Sequence, residues 1–200
     1  MTLDTTNNRT FTIPQFCAVY TACEEGMEWA LKTCDTMYDV WDLAPVKYLQ
    51  WVATRASVMS SINRRLFFAA AARWRISCLT EASTDYERDV VRRIHEVIAA
   101  IEDFARGVVG FDRLEQACKA SYNITSEMSA YGQDDVQRKH SQFRRAATRA
   151  IGIARFGTCR DEQLRRKMVL VFFEDEDAAW LRKNVEPCFE VDMLYPTLLA

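Results

Sequence analysis

Only six Gly and four Pro interrupt this chain of 200 residues. An antiparallel sandwich or barrel needs a turn about every ten residues, and those turns draw on residues that tolerate special backbone angles. So sparse a set of turn formers excludes that class, and with it collagen-like and Pro/Gly-rich disordered chains. Hydrophobic residues make up 49% of the chain, which is enough to bury a core. The pattern predicts an all-α, single-domain bundle of six to eight helices over residues 17–200, after an irregular lead-in over 1–16.

Three properties bound the setting. The formal charge is −2, so the chain as a whole is not built to neutralise nucleic acid. No apolar run approaches the ~18 residues of a membrane span, and the polar stretch Met1 to Arg9 lacks the hydrophobic segment of a secretory leader. A cytoplasmic protein with no membrane partner is expected. The seven cysteines (Cys17, Cys23, Cys34, Cys78, Cys118, Cys159 and Cys188) are odd in number and widely spaced. They form no C-x-x-C pair, and His95 and His140 lie far from any close pair, so neither a disulfide framework nor a zinc site is expected. Free, mostly buried thiols fit the spacing.

Helix punctuation sets the organisation. A first helix is expected near Ala18–Cys34, with Met27, Ala30, Leu31 and Cys34 inward and Gly26 marking close packing. Thr36 with Asp39 has the spacing of an N-cap and predicts a short helix through Met37, Val40 and Trp41. Pro45 ends that piece and suits the first helical position (N1) of the next one, which carries Leu49, Val52 and Ala53. Ser60 or Ser61 caps a helix from about Ile62 to Leu79, whose stretch Leu66–Ala72 is apolar nearly all round and reads as the central helix. Thr84 with Glu87 opens a long amphipathic helix, Tyr86 to Phe104, with Val90, Val91, Ile94, Val97, Ile98 and Ile101 inward. His95 is expected half-buried on it, and Gly107 and Gly110 stop it. Another helix runs from Asp112 through Leu114, Ala117, Cys118 and Tyr122 toward Met128. Gly132 and Asp134-Asp135 mark a break before a basic helix over about 137–156. Gly157-Thr158 separates that from a last helix near Arg160–Phe173, where the Val- and Phe-rich run Met168 to Phe173 leaves a short strand as the alternative. The acidic and apolar segment 174–200 closes the chain. Its apolar residues from Val185 to Leu199 call for burial against the bundle or against a second copy.

Residues 23–122 also carry a resemblance. Cys23-Glu24-Glu25-Gly26-Met27-Glu28-Trp29, Val40-Trp41-Asp42 and Tyr48-Leu49-Gln50-Trp51-Val52-Ala53 are similar to the opening of a loose group of uncharacterised bacterial and phage proteins with a Trp-Leu-x-Trp-Leu-like segment. Arg64 to Arg73 resembles their Arg-led, Ala- and Cys-rich helix, and Ile94 to Cys118 their following helix pair joined at a Gly. The group's Cys pair in the Ala-rich helix and its C-terminal Gly-Asn-Pro-Phe are absent here. The resemblance implies an all-helical fold and a phage or mobile-element origin. It supplies no catalytic residue.

No Gly-rich phosphate loop, G-x-S-x-G elbow or H-E-x-x-H pair occurs. Consecutive acids such as Glu174–Asp177 point about 100° apart on a helix and do not converge on one ion. No catalytic residue, cofactor or metal site is therefore assigned. The five tryptophans sit beside apolar neighbours and are expected in a core or a protein interface.

Charge distribution is the most informative feature. Residues 137–167 hold ten Lys/Arg against two Asp/Glu, whereas residues 168–200 hold two against seven. Phe143, Ala146, Ala147, Ala150, Ile151 and Ala154 repeat at three- and four-residue steps and should face the bundle. Arg138, Arg145 and Arg149 then share the polar face, with Arg144 and Arg155 toward its edges. Arginine suits bidentate recognition of carboxylate or phosphate. Three explanations compete for this face: the chain's own acidic segment Glu174–Asp177 folded back onto it or a simply solvated face, an acidic protein surface, and nucleic-acid phosphate. The expectation is a non-enzymatic interaction protein that regulates or inhibits a bacterial defence complex, such as a CRISPR effector, with a nucleic-acid-binding helical protein as the alternative.

Overall fold

The computed structural model describes residues 10–55, 58–77, 82, 84–130, 138–172 and 175–190. Among these the chain is all-α: ten helices and a single isolated antiparallel bridge, Thr10 with Glu190. The contacts fall into two compact units, one of residues up to 59 together with those from 174, the other of residues 60–173.

The first unit comprises α1 (Ile13–Tyr20), α2 (Glu24–Thr33), α3 (Met37–Leu43), α4 (Val46–Ala53) and α10 (Asp175–Asn184). Here the expected single helix over Ala18–Cys34 is corrected, and so is the end of the irregular lead-in expected over 1–16, of which residues 13–16 are helical and 1–9 lie outside the described residues. Thr12 and Gln15 form a reciprocal capping box with Pro14 in the first turn, so helix begins at Ile13. Thr21 then adopts a left-handed conformation, φ 54°, which ends α1 before α2 begins. The inward stripe of α2 is also narrower than expected, because Leu31 is 52% exposed while Ala30 and Cys34 are buried. Thr36 and Asp39 form the anticipated cap of α3. Pro45 lies one position earlier than expected, at the N-cap of α4.

Two returning segments complete this unit. Arg182 on α10 donates to the carbonyls of Trp41 and Ala44, satisfying acceptors at the open C-terminal end of α3. Beyond α10 the chain is extended: the Cys188 amide donates to Val58 O at 3.1 Å, and the Phe11 amide donates to Phe189 O at 2.8 Å. That register drives Phe189, fully buried, edge-on against Phe16 (5.7 Å) and Tyr38 (5.2 Å). Part of the apolar C-terminal segment is thus core; residues 191–200 lie outside the described residues, as does any dimer contact expected of them.

The second unit comprises α5 (Ser61–Ser77), α6 (Asp85–Ala105), α7 (Phe111–Ala130), α8 (Arg138–Thr158) and α9 (Glu162–Phe172). Ser60 caps α5, its hydroxyl accepting from the Asn63 amide at 3.0 Å. Helix α5 packs most extensively on α8 and also on α6. Phe67, Phe68, Ala69, Ala71 and Ala72 are buried, as a central helix requires, while Ala70 is half-buried. The Thr84–Glu87 capping box starts α6, and Val90, Ile94, Val97, Ile98 and Ile101 fill its inner face. Gly107, φ +73°, turns the chain toward α7.

On α7 the buried stripe is Leu114, Ala117, Ser121, Ile124 and Met128. Tyr122 is 57% exposed, because it lies one residue and about 100° off that stripe. The break expected at Gly157-Thr158 falls two residues later, at residues 159–161: α8 runs to Thr158, with Gly157 inside it, and α9 begins at Glu162. Residues 168–172 are helical, which settles the strand alternative. The break at Gly132 and Asp134-Asp135 lies outside the described residues.

Candidate interaction surface

The arginine face rests on the apolar face of α8. Phe143, Ala147, Ala150, Ile151 and Ala154 are all buried, so the rotation of the helix about its axis is fixed. That rotation leaves Arg145 and Arg149 exposed and Arg144 half-buried. The three share a groove of about 460 Å³ with Thr148 of α8 and with Met128 and Ser129 of α7. Arg155 lies three turns from the start of that groove and is engaged differently: its guanidinium sits 4.7 Å from the ring centre of Tyr122. The side chain of Arg138 is outside the described residues, as is that of His140.

A second pair of this kind lies beyond the end of α8. Arg160 stacks 4.3 Å over the ring of Phe111 and also meets Glu115 at 3.3 Å. Phe111 is 43% exposed, so two cation–aromatic pairs, Arg155–Tyr122 and Arg160–Phe111, bridge α7 to α8 and the turn after it. The clue lay in the stripe of α7, since a run completed by Ser121 and Ile124 leaves Tyr122 outside.

The basic block is not all surface. Arg165 is buried, and so are Arg64 and Arg65 on α5. Arg65 donates to Gly157 O and Arg165 to Cys159 O. Both thereby cap the C-terminal end of α8, where carbonyls lack helical partners and the helix dipole is negative. Glu162 accepts Arg165 and pairs with Arg64, and Arg165 also donates to Ser61 Oγ at 2.9 Å. Burial, and then the charge of Arg165, pulls Arg65 down to about 10, so it stays cationic at neutral pH. These arginines tie α5, α8 and α9 together and leave the outward role to Arg144, Arg145 and Arg149.

Other candidates fall elsewhere. His95 is exposed rather than half-buried; partial desolvation and the nearby Arg73 charge hold its pKa below the usual histidine value. Among the described residues no three His, Cys, Asp or Glu side chains are placed to hold a metal ion. Cys17 and Cys34 are buried free thiols, but Cys23 and Cys188 are exposed, so the thiols are less uniformly internal than expected. Among the tryptophans Trp41 is core, Trp29, Trp51 and Trp180 are half-buried, and Trp74 is 49% exposed. Among the described residues no helix is long and apolar enough to cross a membrane.

No protein-family model, curated protein or solved structure matches the chain.

Proposed function

We propose that the chain is a non-enzymatic interaction protein that binds an acidic surface of a larger bacterial assembly through Arg144, Arg145 and Arg149. The observation that carries the reading is their convergence on one groove between α7 and α8, on a helix whose rotation is set by its own buried face. Guanidinium groups so placed can form paired hydrogen bonds to carboxylates, and charge complementarity of this kind fixes register and speeds encounter. The biological setting, a phage or mobile-element protein that regulates or inhibits a defence complex such as a CRISPR effector, rests on the resemblance over residues 23–122 alone.

A second reading, nucleic-acid binding, is favoured by the Arg155–Tyr122 and Arg160–Phe111 pairs, since exposed rings interleaved with cations are what a single strand stacks on. Affinity purification of the tagged protein from a bacterial lysate, with and without nuclease, separates the two. A stoichiometric protein partner that survives nuclease and is lost from an Arg145→Glu, Arg149→Glu variant supports the first reading. Recovery of nucleic acid alone supports the second.

A further inference from the structure

The first unit holds a cavity of about 360 Å³ between α1, α2, α3 and α4. Its walls include Phe16, Trp29, Met37, Tyr48, Trp51 and Val52. The space opens to solvent past Glu25 and Lys47, and its mostly apolar lining gains contact when a molecule displaces the water there. The walls are nonetheless fixed independently of any occupant. Capping boxes pin the starts of α1 and α3. Phe16 is wedged edge-on between Trp51 (5.9 Å, 81°) and Phe189 (5.7 Å, 81°), so it cannot swing inward to fill the space.

Gly26 sets the opposite wall. A Cβ at this position would stand 3.4 Å from Tyr48 Cε1 and 3.2 Å from Cys23 Sγ. The bare backbone lets the Tyr48 ring approach α2, where it packs 5.5 Å from Trp29. At the rim Lys47 Nζ pairs with Glu25 at 2.8 Å, both side chains well exposed, and Lys47 lies 4.6 Å over the Tyr48 ring. The carboxylate and ammonium cancel, so the mouth offers a hydrogen-bond donor and an acceptor but no net charge for an ion.

The geometry points to a binding site for a small, net-uncharged aromatic molecule of about indole size, its ring between the Trp29–Tyr48 wall and the Phe16–Trp51 wall. Its polar group would lie at the Glu25–Lys47 pair. Size follows from the volume, which is at the low end of the ~300–1,000 Å³ of small-molecule pockets. Aromatic character follows from walls that present both ring faces and ring edges, with Met37 and Cys17 supplying polarizable sulfur. Neutrality follows from the cancelled charges at the rim, since an ion drawn into this lining would be desolvated without a free counter-charge.

The test is a titration of the intact, ¹⁵N-labelled chain with indole, followed by two-dimensional NMR, with benzoate as an anion of similar size. Saturable shifts of the Trp29 and Trp51 side-chain N–H signals and of the Gly26 amide are expected, with benzoate weaker by about tenfold or more. Ala30→Phe, which projects a ring into the cavity, should remove the shifts. Should that variant fail to fold by circular dichroism, Ala22→Trp at the half-exposed rim should do the same. The proposal is overturned if indole produces no saturable shifts at these three residues. It is equally overturned if benzoate binds as well as indole, or if a folded, filled variant binds like the parent.

Discussion

Gly157 on α8 meets Ile101 on α6 so closely that a Cβ there would lie 2.9 Å from Ile101 Cδ1 and 3.0 Å from its Cγ2. Gly152, one and a half turns earlier on the same helix, would meet nothing within 4 Å. The two glycines share a helical backbone and differ in what faces them. Gly152→Ala should therefore stabilise by about 0.5–1 kcal/mol, since alanine loses less backbone entropy on folding. In Gly157→Ala the same gain is opposed by overpacking against Cγ2, which cannot rotate away without moving the Ile101 rotamer, at a cost of about 1–3 kcal/mol. Urea midpoints at constant slope should rise for the first variant and fall for the second. Equal rises would show that α6 and α8 are not in this register.

Glu162 provides a pH-dependent readout of the arginine cluster. Burial pushes its carboxyl up, but the Arg64 and Arg165 guanidinium groups and hydrogen bonds from Arg165 and Ser61 outweigh that and hold it below the ordinary carboxylate value. A carboxyl with a depressed folded-state pKa stabilises fully above its unfolded value, about 4.3, and the contribution is lost as pH falls through the folded value. Removing the charge leaves two buried guanidinium groups short of their counter-ion. Such removals cost about 3–5 kcal/mol when fully buried, and about 2 kcal/mol is expected here because Glu162 is 29% exposed. Glu162→Gln should thus be less stable at pH 7, and the gap should narrow as pH drops below about 4.3. A gap independent of pH would assign the loss to packing instead.

What could be read from the sequence was what is local. Thr36 with Asp39 and Thr84 with Glu87 announce their helices because each cap is made within four residues. Thr12 with Gln15 obeys the same rule, yet the polar run before it and Pro14 disguise it as a loop. The turn at Thr21 escaped because a left-handed threonine carries no compositional signal of the kind glycine gives. Burial of Arg64, Arg65 and Arg165 was illegible for another reason: the acceptors that justify it, the Glu162 carboxylate, Gly157 O and Cys159 O, come together only once α5, α8 and α9 are packed. Arg145 and Arg149 were legible because the small residues Ala147 and Ala150, interleaved with them along the chain, mark the opposite face of the same helix.

The central helix offers a sharper test of rotation than of existence. Ala72 is fully buried in α5, whereas Ala70 is half-buried. An unpaired carboxylate at Ala72 would be desolvated at a cost of several kcal/mol, comparable to the whole stability of a small domain. Ala72→Asp should abolish cooperative melting followed by circular dichroism. Ala70→Asp should keep a folded chain with a lower midpoint, because its carboxylate can reach water. If the two variants behave alike, α5 is rotated from the orientation described.

Arg145 and Arg149 decide the proposed function. Both side chains are exposed, and exposed charges contribute little to stability, so Arg145→Glu with Arg149→Glu should leave the melting temperature nearly unchanged. The same reversal places like charges opposite an acidic partner and should weaken its binding by orders of magnitude, chiefly through slower association. Raising salt on the parent protein should mimic the variant. A gentle decline marks an acidic protein surface, whereas a steep linear fall of log affinity with log salt marks released phosphate counterions. Arg155→Ala distinguishes the two partners independently. It strips the cation from Tyr122, 4.7 Å away, and should weaken a single strand stacked on that ring more than a carboxylate surface seated in the Arg144–Arg149 groove. A double variant that melts many degrees lower yet still holds its partner would make these two arginines structural and sink the assignment of the surface.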